Sequence, residues 1–599
     1  MPTHDTPTHE EILRQLTGPG APFEIETSTV NGRPMRNWKQ RERSLREKVQ
    51  NAARHGEREF LVQGPRRIRY GEFARLCWGT ARALQDEHGL QKGDRLSVLA
   101  YNSPDWLIAL FGAVSAGGIG VGLNGWWAGE EIEYGLRDSG SRYLVVDERL
   151  FPRCAALLDR LPELEKVFYI GSSGGAAPAG TIPIEGLIQA HEDPPTTPID
   201  EDDPFVILYT SGTTGRPKGC ITTHRGTIAQ VQGILLAGVA GAMSNGGGAA
   251  ASDGDDQPRT ATSPTSAVPP ALPTPITPPT ALITSPLFHV GGLHSSFCTQ
   301  LTAGGKIVFN EGRFDPEQVM ALIERERITN WGAIPTMLHR VVHHEKIGDY
   351  DLRSLKAISF GGAPTPPETI DRAREVLPIE PSFTNVYGLT ETHGVATSNG
   401  GRSYLDKRAS VGRPMPLLDM KVVDEAGREL PTGATGELVV FGPLVTPGYW
   451  NRPEATAETV REGWLHTGDL GHRDEEGFFW VSDRAKDMIL RGGENVYCTE
   501  IENVLADHPE IDEAAILGVP DPELGERVKA IVVRIPGSAL GVGEVQKHVA
   551  ARMAGFKVPE IVEFRSRPLP RNPAGKILKN LLRGEQGGTS FHAEDLEPA

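Results

Sequence analysis

The sequence predicts an α/β protein built on parallel sheets, and three observations carry that expectation. Between residues 56 and 150, apolar runs alternate with segments of helical spacing, which is the pattern of strands joined by covering helices. An apolar run, Phe205 to Leu208, then leads into Tyr209-Thr-Ser-Gly-Thr-Thr-Gly-Arg-Pro-Lys218-Gly219, a strand entering a glycine-rich, hydroxylated loop ahead of a helix. After Asp483-Arg484-Ala485-Lys486-Asp487 the pattern changes to a compact α+β unit of about a hundred residues.

Residues 1–55 are polar and charged and read as a loosely attached arm with some helix. Phe73, Leu76, Ala81 and Leu84 recur at helical spacing, Arg95 to Ala100 reads as a strand, Ile132 to Leu136 as helix, and Tyr143 to Val146 as another strand. Trp106 to Leu123 carries no charge and imitates a membrane span. The Gly117-Gly118 pair inside it, and Asn124-Gly125-Trp126-Trp127 after it, favour a buried helix (Trp106 to Ala116) turning into a buried strand (Ile119 to Leu123). Over 240–280, Gly, Ala, Ser, Thr and Pro dominate and acidic residues gather at 253–256. Such a stretch cannot bury enough apolar surface to offset its ordering entropy, so it reads as a disordered enlargement of a loop within a domain of residues 56–483. A polyproline ligand for a partner module is the alternative for it. In the last unit, 484–582, Thr499-Glu-Ile-Glu502 reads as a capping box opening a helix. Strands follow at Ala514 to Val519 and Val528 to Ile535, with a helix near Glu544 to Met553 and a polar, disordered tail over 583–599.

With 599 residues, 38% of them hydrophobic and 23% charged, the chain has the composition of a soluble multi-domain protein. A net charge of −17 argues against general affinity for nucleic acid or anionic membranes, and predicts at most peripheral membrane contact. The five cysteines (Cys77, Cys154, Cys220, Cys298, Cys498) form no CxxC pair. Together with an N-terminus lacking an apolar signal region and a C-terminus lacking a prenylation or peroxisomal signal, that predicts a reduced, cytoplasmic protein.

The 209–219 loop has the chemistry of a phosphate cradle: glycines let backbone N–H groups approach, Ser and Thr donate hydrogen bonds, and Lys218 supplies a point charge. It is not a Walker A loop, because the Gly-Lys-Ser/Thr spacing is missing. Five further segments accompany it: Pro286-Leu-Phe-His289-Val-Gly291-Gly292, Ser359-Phe-Gly361-Gly362-Ala363-Pro364, Asn385-Val-Tyr387-Gly388-Leu-Thr390-Glu391, Trp464-Leu-His-Thr467-Gly468-Asp469 and Pro570-Arg571-Asn-Pro-Ala-Gly575-Lys576. Each alone is an ordinary turn or cap; their joint occurrence in this order is specific.

With that set, the chain resembles the adenylate-forming superfamily, and within it the bacterial fatty-acyl- and related carboxylate–CoA ligases, from about Ser44 to Leu582. The resemblance implies two parallel sheets and a small β lobe, with a mobile α+β C-terminal domain. It implies ATP, Mg²⁺ and CoA as cofactors and a small-molecule carboxylic acid as substrate, and it leaves a homodimer open. By resemblance, Thr210, Ser211, Gly212, Thr213, Thr214, Gly215 and Lys218 hold the β- and γ-phosphates, and Glu391 holds the metal. Gly361, Gly362 and Ala363 line one adenine face, Tyr387 stacks on the other, and Asn385 reads the amino group, with Gly388 and Thr390 alongside. Asp469 accepts the ribose hydroxyls with Arg484 nearby, and Lys576 bridges carboxylate and α-phosphate.

The family's C-terminal domain swings about a residue matching Lys486. That swing withdraws Lys576 and brings up Leu490-Arg-Gly492-Gly493, whose glycines suit a pantetheine channel. His289 gates the acyl pocket, and Phe556 and Lys557 contact the CoA nucleotide, although Val558 and Glu560 stand where many relatives are basic. The acyl pocket is assigned to Trp331–Leu338 and Val290–Ser296. Small uncharged residues there predict an apolar acid, with a medium- or long-chain fatty acid first and an aromatic or steroid side-chain acid as alternatives. A stand-alone adenylation enzyme loading a carrier protein is the rival in the same fold, and a catalytically silent ATP-binding scaffold is the non-enzyme alternative.

Overall fold

The computed structural model describes residues 8–171, 177–210, 217–244, 278–362, 365, 367–378, 382–484, 487–491, 494–521, 524–571 and 576–584. Its first sheet has seven strands in the order Lys218–Thr223, Pro204–Thr210, Ile119–Gly122, Arg95–Leu99, Tyr143–Asp147, Lys166–Ile170, Ile182–Pro183. All neighbours are parallel except the first pair. The second sheet has nine strands. Its middle six, from Ser382–Tyr387 through Ala357–Gly361, Asn330–Ala333, Thr280–Ile283 and Lys306–Phe309 to Glu59–Gln63, are parallel. Antiparallel strands occupy its edges only.

The largest core lies between these sheets. The helix Pro104–Ser115 is buried along its whole length, as the double-glycine reading predicted, and the strand Ile119–Gly122 follows it. Phe111 and Phe297 (ring centroids 5.0 Å apart) and Phe60 and Phe73 (5.1 Å) join the two sheets through it. Burying a side chain such as Phe111 stabilises by about 1.5–3 kcal/mol. An antiparallel lobe follows, built on Asp419–Val423, Gly436–Phe441, Trp464–Arg473 and Phe479–Arg484. Then comes an α+β unit in which Ile511–Asp521 and Gly525–Arg534 pair over eleven and ten residues, covered by Cys498–Ala506 and Val542–Ala550.

Three expectations are corrected. The segment 8–55 is not loosely attached: Ile12, Leu16, Phe23 and Trp38 are buried in the core shared with the antiparallel lobe, and the Trp38 indole donates to Ala229 O at 2.9 Å. Its apolar residues are few, but they share one face. Thr499 does not cap its helix. The helix begins at Cys498, and the Glu502 carboxylate instead accepts from Ile516 N (2.8 Å) and pairs with Lys579 (2.8 Å). The compositional break at 240 comes inside the helix His224–Ser244, and the next described strand is Thr280–Ile283; the rest of the expected insert lies outside the described residues. That helix is long and apolar enough to cross a membrane by composition, yet His224 to Gly233 are buried within the protein.

Candidate active site

The hairpin Pro204–Thr210 to Lys218–Thr223 ends with Thr210 opposite Lys218, so both flank the loop tip. Ser211, Gly212, Thr213, Thr214 and Gly215 lie outside the described residues. Tyr209 anchors the strand below, its hydroxyl donating to Asp138 Oδ2 (3.0 Å) and Gly135 O (3.1 Å). Gly219 is required by packing: a Cβ there would come within 2.7 Å of Ile207 Cγ2. From this base the Lys218 ammonium projects to 5.3 Å from the centre of the Tyr449 ring.

Tyr449 in turn donates its hydroxyl to Glu391 Oε1 at 2.7 Å. Glu391 is buried at 8% exposure, in the 3₁₀ turn Thr390–Thr392, and its carbonyl accepts from Thr446 N at 2.8 Å. The cation and carboxylate expected at the triphosphate are therefore brought together by a tyrosine that the sequence motifs did not include. Burial, and then the neighbouring Glu391 carboxylate, push the Tyr449 phenol well above its ordinary value and keep it a donor.

Four residues before Glu391, Tyr387 donates its hydroxyl to Asp469 Oδ2 at 2.7 Å. Asp469 is buried and its N–H donates to Thr467 Oγ1 (3.0 Å), while Arg484 lies opposite it on the adjacent strand. Asn385 Nδ2 donates to Ser410 O at 3.0 Å, which directs the amide. Gly361 ends its strand where a Cβ would sit 2.3 Å from Val386 O; Gly362 has φ +80°, and Ala363 lies outside the described residues. Gly388 is equally constrained, since a Cβ there would meet Gly394 O at 1.7 Å. The segment 385–391 thus runs from the residue expected at the adenine, past the tyrosine bonded to Asp469, to the carboxylate expected at the metal, along one strand and one turn.

Residues 49–450 match the family model for AMP-binding enzymes, and residues 500–576 match that for the AMP-binding enzyme C-terminal domain. The chain belongs to the AMP-binding enzyme family. It is thereby an adenylate-forming, ATP-dependent acid–thiol ligase by class. It is 34% identical over 520 residues to a feruloyl-CoA synthase of Amycolatopsis sp, covering 87% of this chain and 94% of that protein. It is 33% identical over 552 residues to the fatty acid–[acyl-carrier-protein] ligase ScoC of Streptomyces coeruleorubidus, covering 90% and 97%. Among solved structures it is similar to ATP-bound MatB from Rhodopseudomonas palustris, with TM-score 0.74, 28% identity, and coverage of 90% and 99%.

In this AMP-binding enzyme His289 precedes the π-helix Gly291–Cys298 and lies against Phe288, ring centroids 4.7 Å apart. Its Nε2 is buried with no hydrogen-bond partner among the described residues, and burial lowers its pKa to about 4, so the ring is neutral at pH 7. Trp126, 54% exposed, stands edge-on to Phe288 at 5.5 Å. The acyl-pocket assignment is corrected at Trp331: its side chain is buried in the core on the other face of the sheet, its indole donating to Thr284 Oγ1 at 3.1 Å. Strand alternation leaves Gly332 as the residue facing the site. A Cβ on it would lie 3.5 Å from Ser296 Oγ and 3.7 Å from Ser359 Oγ, so two hydroxyls flank that slot. Ser359 is exposed although its strand is central in the sheet, which marks a cleft there. Within 290–296, Gly292, Leu293 and His294 are buried away from it.

Lys576 follows a segment held by its own domain. Leu569 N and the Arg571 guanidinium donate to Glu513 (2.6 and 3.0 Å), and Leu578 N donates to Pro570 O (2.8 Å). Lys486, Gly492 and Gly493 lie outside the described residues. Lys557, expected at the CoA nucleotide, is ion-paired with Glu500, and Glu560 pairs with Arg491. Among the described residues no three His, Cys, Asp or Glu side chains gather around a metal position. One buried carboxylate with a single oxygen already bonded to Tyr449 suits Mg²⁺, which arrives on the triphosphate and keeps phosphate and water ligands.

Proposed function

We propose that this enzyme activates an apolar carboxylic acid with ATP, forming an acyl-adenylate and pyrophosphate, and then transfers the acyl group to the thiol of CoA with release of AMP. The observation that carries this reading is the continuous array Lys218–Tyr449–Glu391 and Tyr387–Asp469, joined through residues 387–391. It offers a cation, a carboxylate for a metal and an acceptor for a ribose in one connected array. Carboxylate and triphosphate repel each other, so the barrier falls by positioning and by stabilising the charge that spreads over the phosphate oxygens. Mg²⁺, when bound with ATP at Glu391, would neutralise part of that charge. Asn385, its Nδ2 engaged by Ser410, presents its oxygen to the adenine amino group. Asp469 accepts the ribose hydroxyls, with Tyr387 orienting it. Lys576 supplies the last cation at the carboxylate and α-phosphate; losing such a donor costs on the order of 3 kcal/mol in the barrier. His289, held neutral by burial, is the residue we assign to gating the acyl pocket.

Two measurements test the reading. AMP release is followed over a panel of fatty, aromatic and steroidal acids, with and without CoA; CoA-dependent turnover on one class supports it and names the acid. Lys576→Ala is expected to abolish adenylate formation while sparing thioester formation from preformed acyl-AMP, and equal loss in both would contradict the role given to Lys576.

A second reading, transfer to a carrier protein, is favoured by one feature. The Lys557 and Arg491 cations are each paired with a carboxylate and not held open for a nucleotide phosphate. Turnover that requires a carrier protein and ignores free CoA would select it.

A further inference from the structure

The segment 446–459 is sewn onto both halves of the triphosphate site. On one side Trp450 N donates to Gly219 O (2.8 Å), Ile221 N to Gly448 O (3.0 Å) and Thr446 Oγ1 to Ile221 O (2.7 Å), fixing it to the strand that begins at Lys218. On the other, Thr446 N donates to the Glu391 carbonyl (2.8 Å). Tyr449 is held between them: its N–H donates to Thr456 Oγ1 (2.9 Å), at the middle of the helix Pro453–Thr459. Its ring face then meets the Lys218 ammonium, and its hydroxyl meets Glu391 Oε1. One side chain therefore touches the cation with its π-face and the carboxylate with its edge.

We infer that Tyr449 is a positioning residue for the metal–triphosphate complex: its hydroxyl, bonded to Oε1 of Glu391, fixes how that carboxylate faces the metal site, while its ring sets the position of the Lys218 ammonium. A hydrogen bond to a ligating carboxylate orients it without removing its remaining lone pairs, so Glu391 would meet Mg²⁺ in a fixed direction. The two functions of the ring separate by substitution. Tyr449→Phe removes the hydroxyl alone, whereas Tyr449→Leu removes the ring as well.

The inference rests on the adenylation reading, and the test keeps the two apart. The probes are Mn²⁺, read by its electron paramagnetic resonance signal, and α,β-methylene-ATP, which cannot be cleaved between those phosphates. Binding to the full chain is measured without any carboxylic acid. Tyr449→Phe is expected to weaken Mn²⁺ binding to the protein–nucleotide complex by roughly 10-fold or more, the scale of a lost partner behind a metal ligand, with metal-free nucleotide affinity unchanged. Tyr449→Leu is expected to weaken both. In turnover, Tyr449→Phe raises the Mg²⁺ concentration needed for half-maximal rate and recovers the wild-type kcat at saturating Mg²⁺. A Phe variant with wild-type Mn²⁺ affinity overturns the inference, as does a Phe variant that loses metal-free nucleotide binding as fully as the Leu variant. Failure of the wild-type chain to bind the nucleotide with Mn²⁺ overturns the adenylation reading together with it.

Discussion

Gly361 and Asp469 show how narrowly single residues define the nucleotide track. A methyl group on Gly361 would press on the Val386 carbonyl at 2.3 Å, and backbone cannot give way as a flexible side chain does. Gly361→Ala is expected to lower stability by about 1–3 kcal/mol and to raise KM for ATP, measured by urea unfolding and by steady-state kinetics. An unchanged KM would remove Gly361 from the adenine floor. Asp469→Ala removes the carboxylate that accepts from Tyr387 and is expected to weaken ATP by about 1.5–3 kcal/mol, the range of a charge-assisted hydrogen bond. Calorimetric titration with ATP checks it, and an effect confined to acyl substrate affinity would contradict the ribose role. The family was legible from the glycines, hydroxyls and charges of the six motifs, because their residue types and order are specific together. Tyr449 was not. Its partner Glu391 lies 58 positions away, and a Gly-Tyr-Trp run ahead of a helix looks the same whether the ring fills a core or orients a carboxylate.

Among elements, the buried helix and strand around Gly117-Gly118 were readable, since an uncharged run broken by a double glycine admits few alternatives. The pair of segments before residue 55 was not, because Arg33–Trp38 alternates arginines with the few residues that pack. Its contribution is measurable. Trp38, 1% exposed and bonded to the Ala229 carbonyl, ties this segment to the long helix His224–Ser244 that follows the phosphate hairpin. Trp38→Ala is expected to cost about 3–5 kcal/mol, seen as a lower urea midpoint. A change under about 0.5 kcal/mol, the size of an ordinary surface substitution, would restore the picture of a loose arm. The helix beginning at Cys498 gives the opposite lesson: a Thr-x-x-Glu pattern was present, but a tertiary partner at Ile516 N took the glutamate.

At the scale of the whole molecule, burial holds four histidines among the described residues as neutral rings. Burial lowers His224 and His294 to about 3 and His289 and His393 to about 4. The unfolded chain protonates them near pH 6.5 and the folded chain does not. The unfolded state therefore binds more protons below that pH, and stability is complete above it and falls on acidification. Each ring contributes a slope approaching 1.4 kcal/mol per pH unit between about 4 and 6.5. A urea midpoint that is steady from pH 8 to 7 and drops steeply from pH 6.5 to 5, above the range where the carboxylates titrate, is the expected result. A midpoint independent of pH over that interval would show these rings to be solvated. The fold class was legible from alternating patterns and motif order, whereas the acyl slot was not, because facing directions on Trp331 and Gly332 depend on which side of the sheet the core takes. The central claim, that the carboxylate attacks the α-phosphorus, is tested most directly with an acid carrying ¹⁸O in its carboxyl group, turned over with ATP and CoA and followed by mass spectrometry of the nucleotide. The account predicts AMP that contains one ¹⁸O atom from the acid. Unlabelled AMP, or ADP with the label in inorganic phosphate, would contradict it.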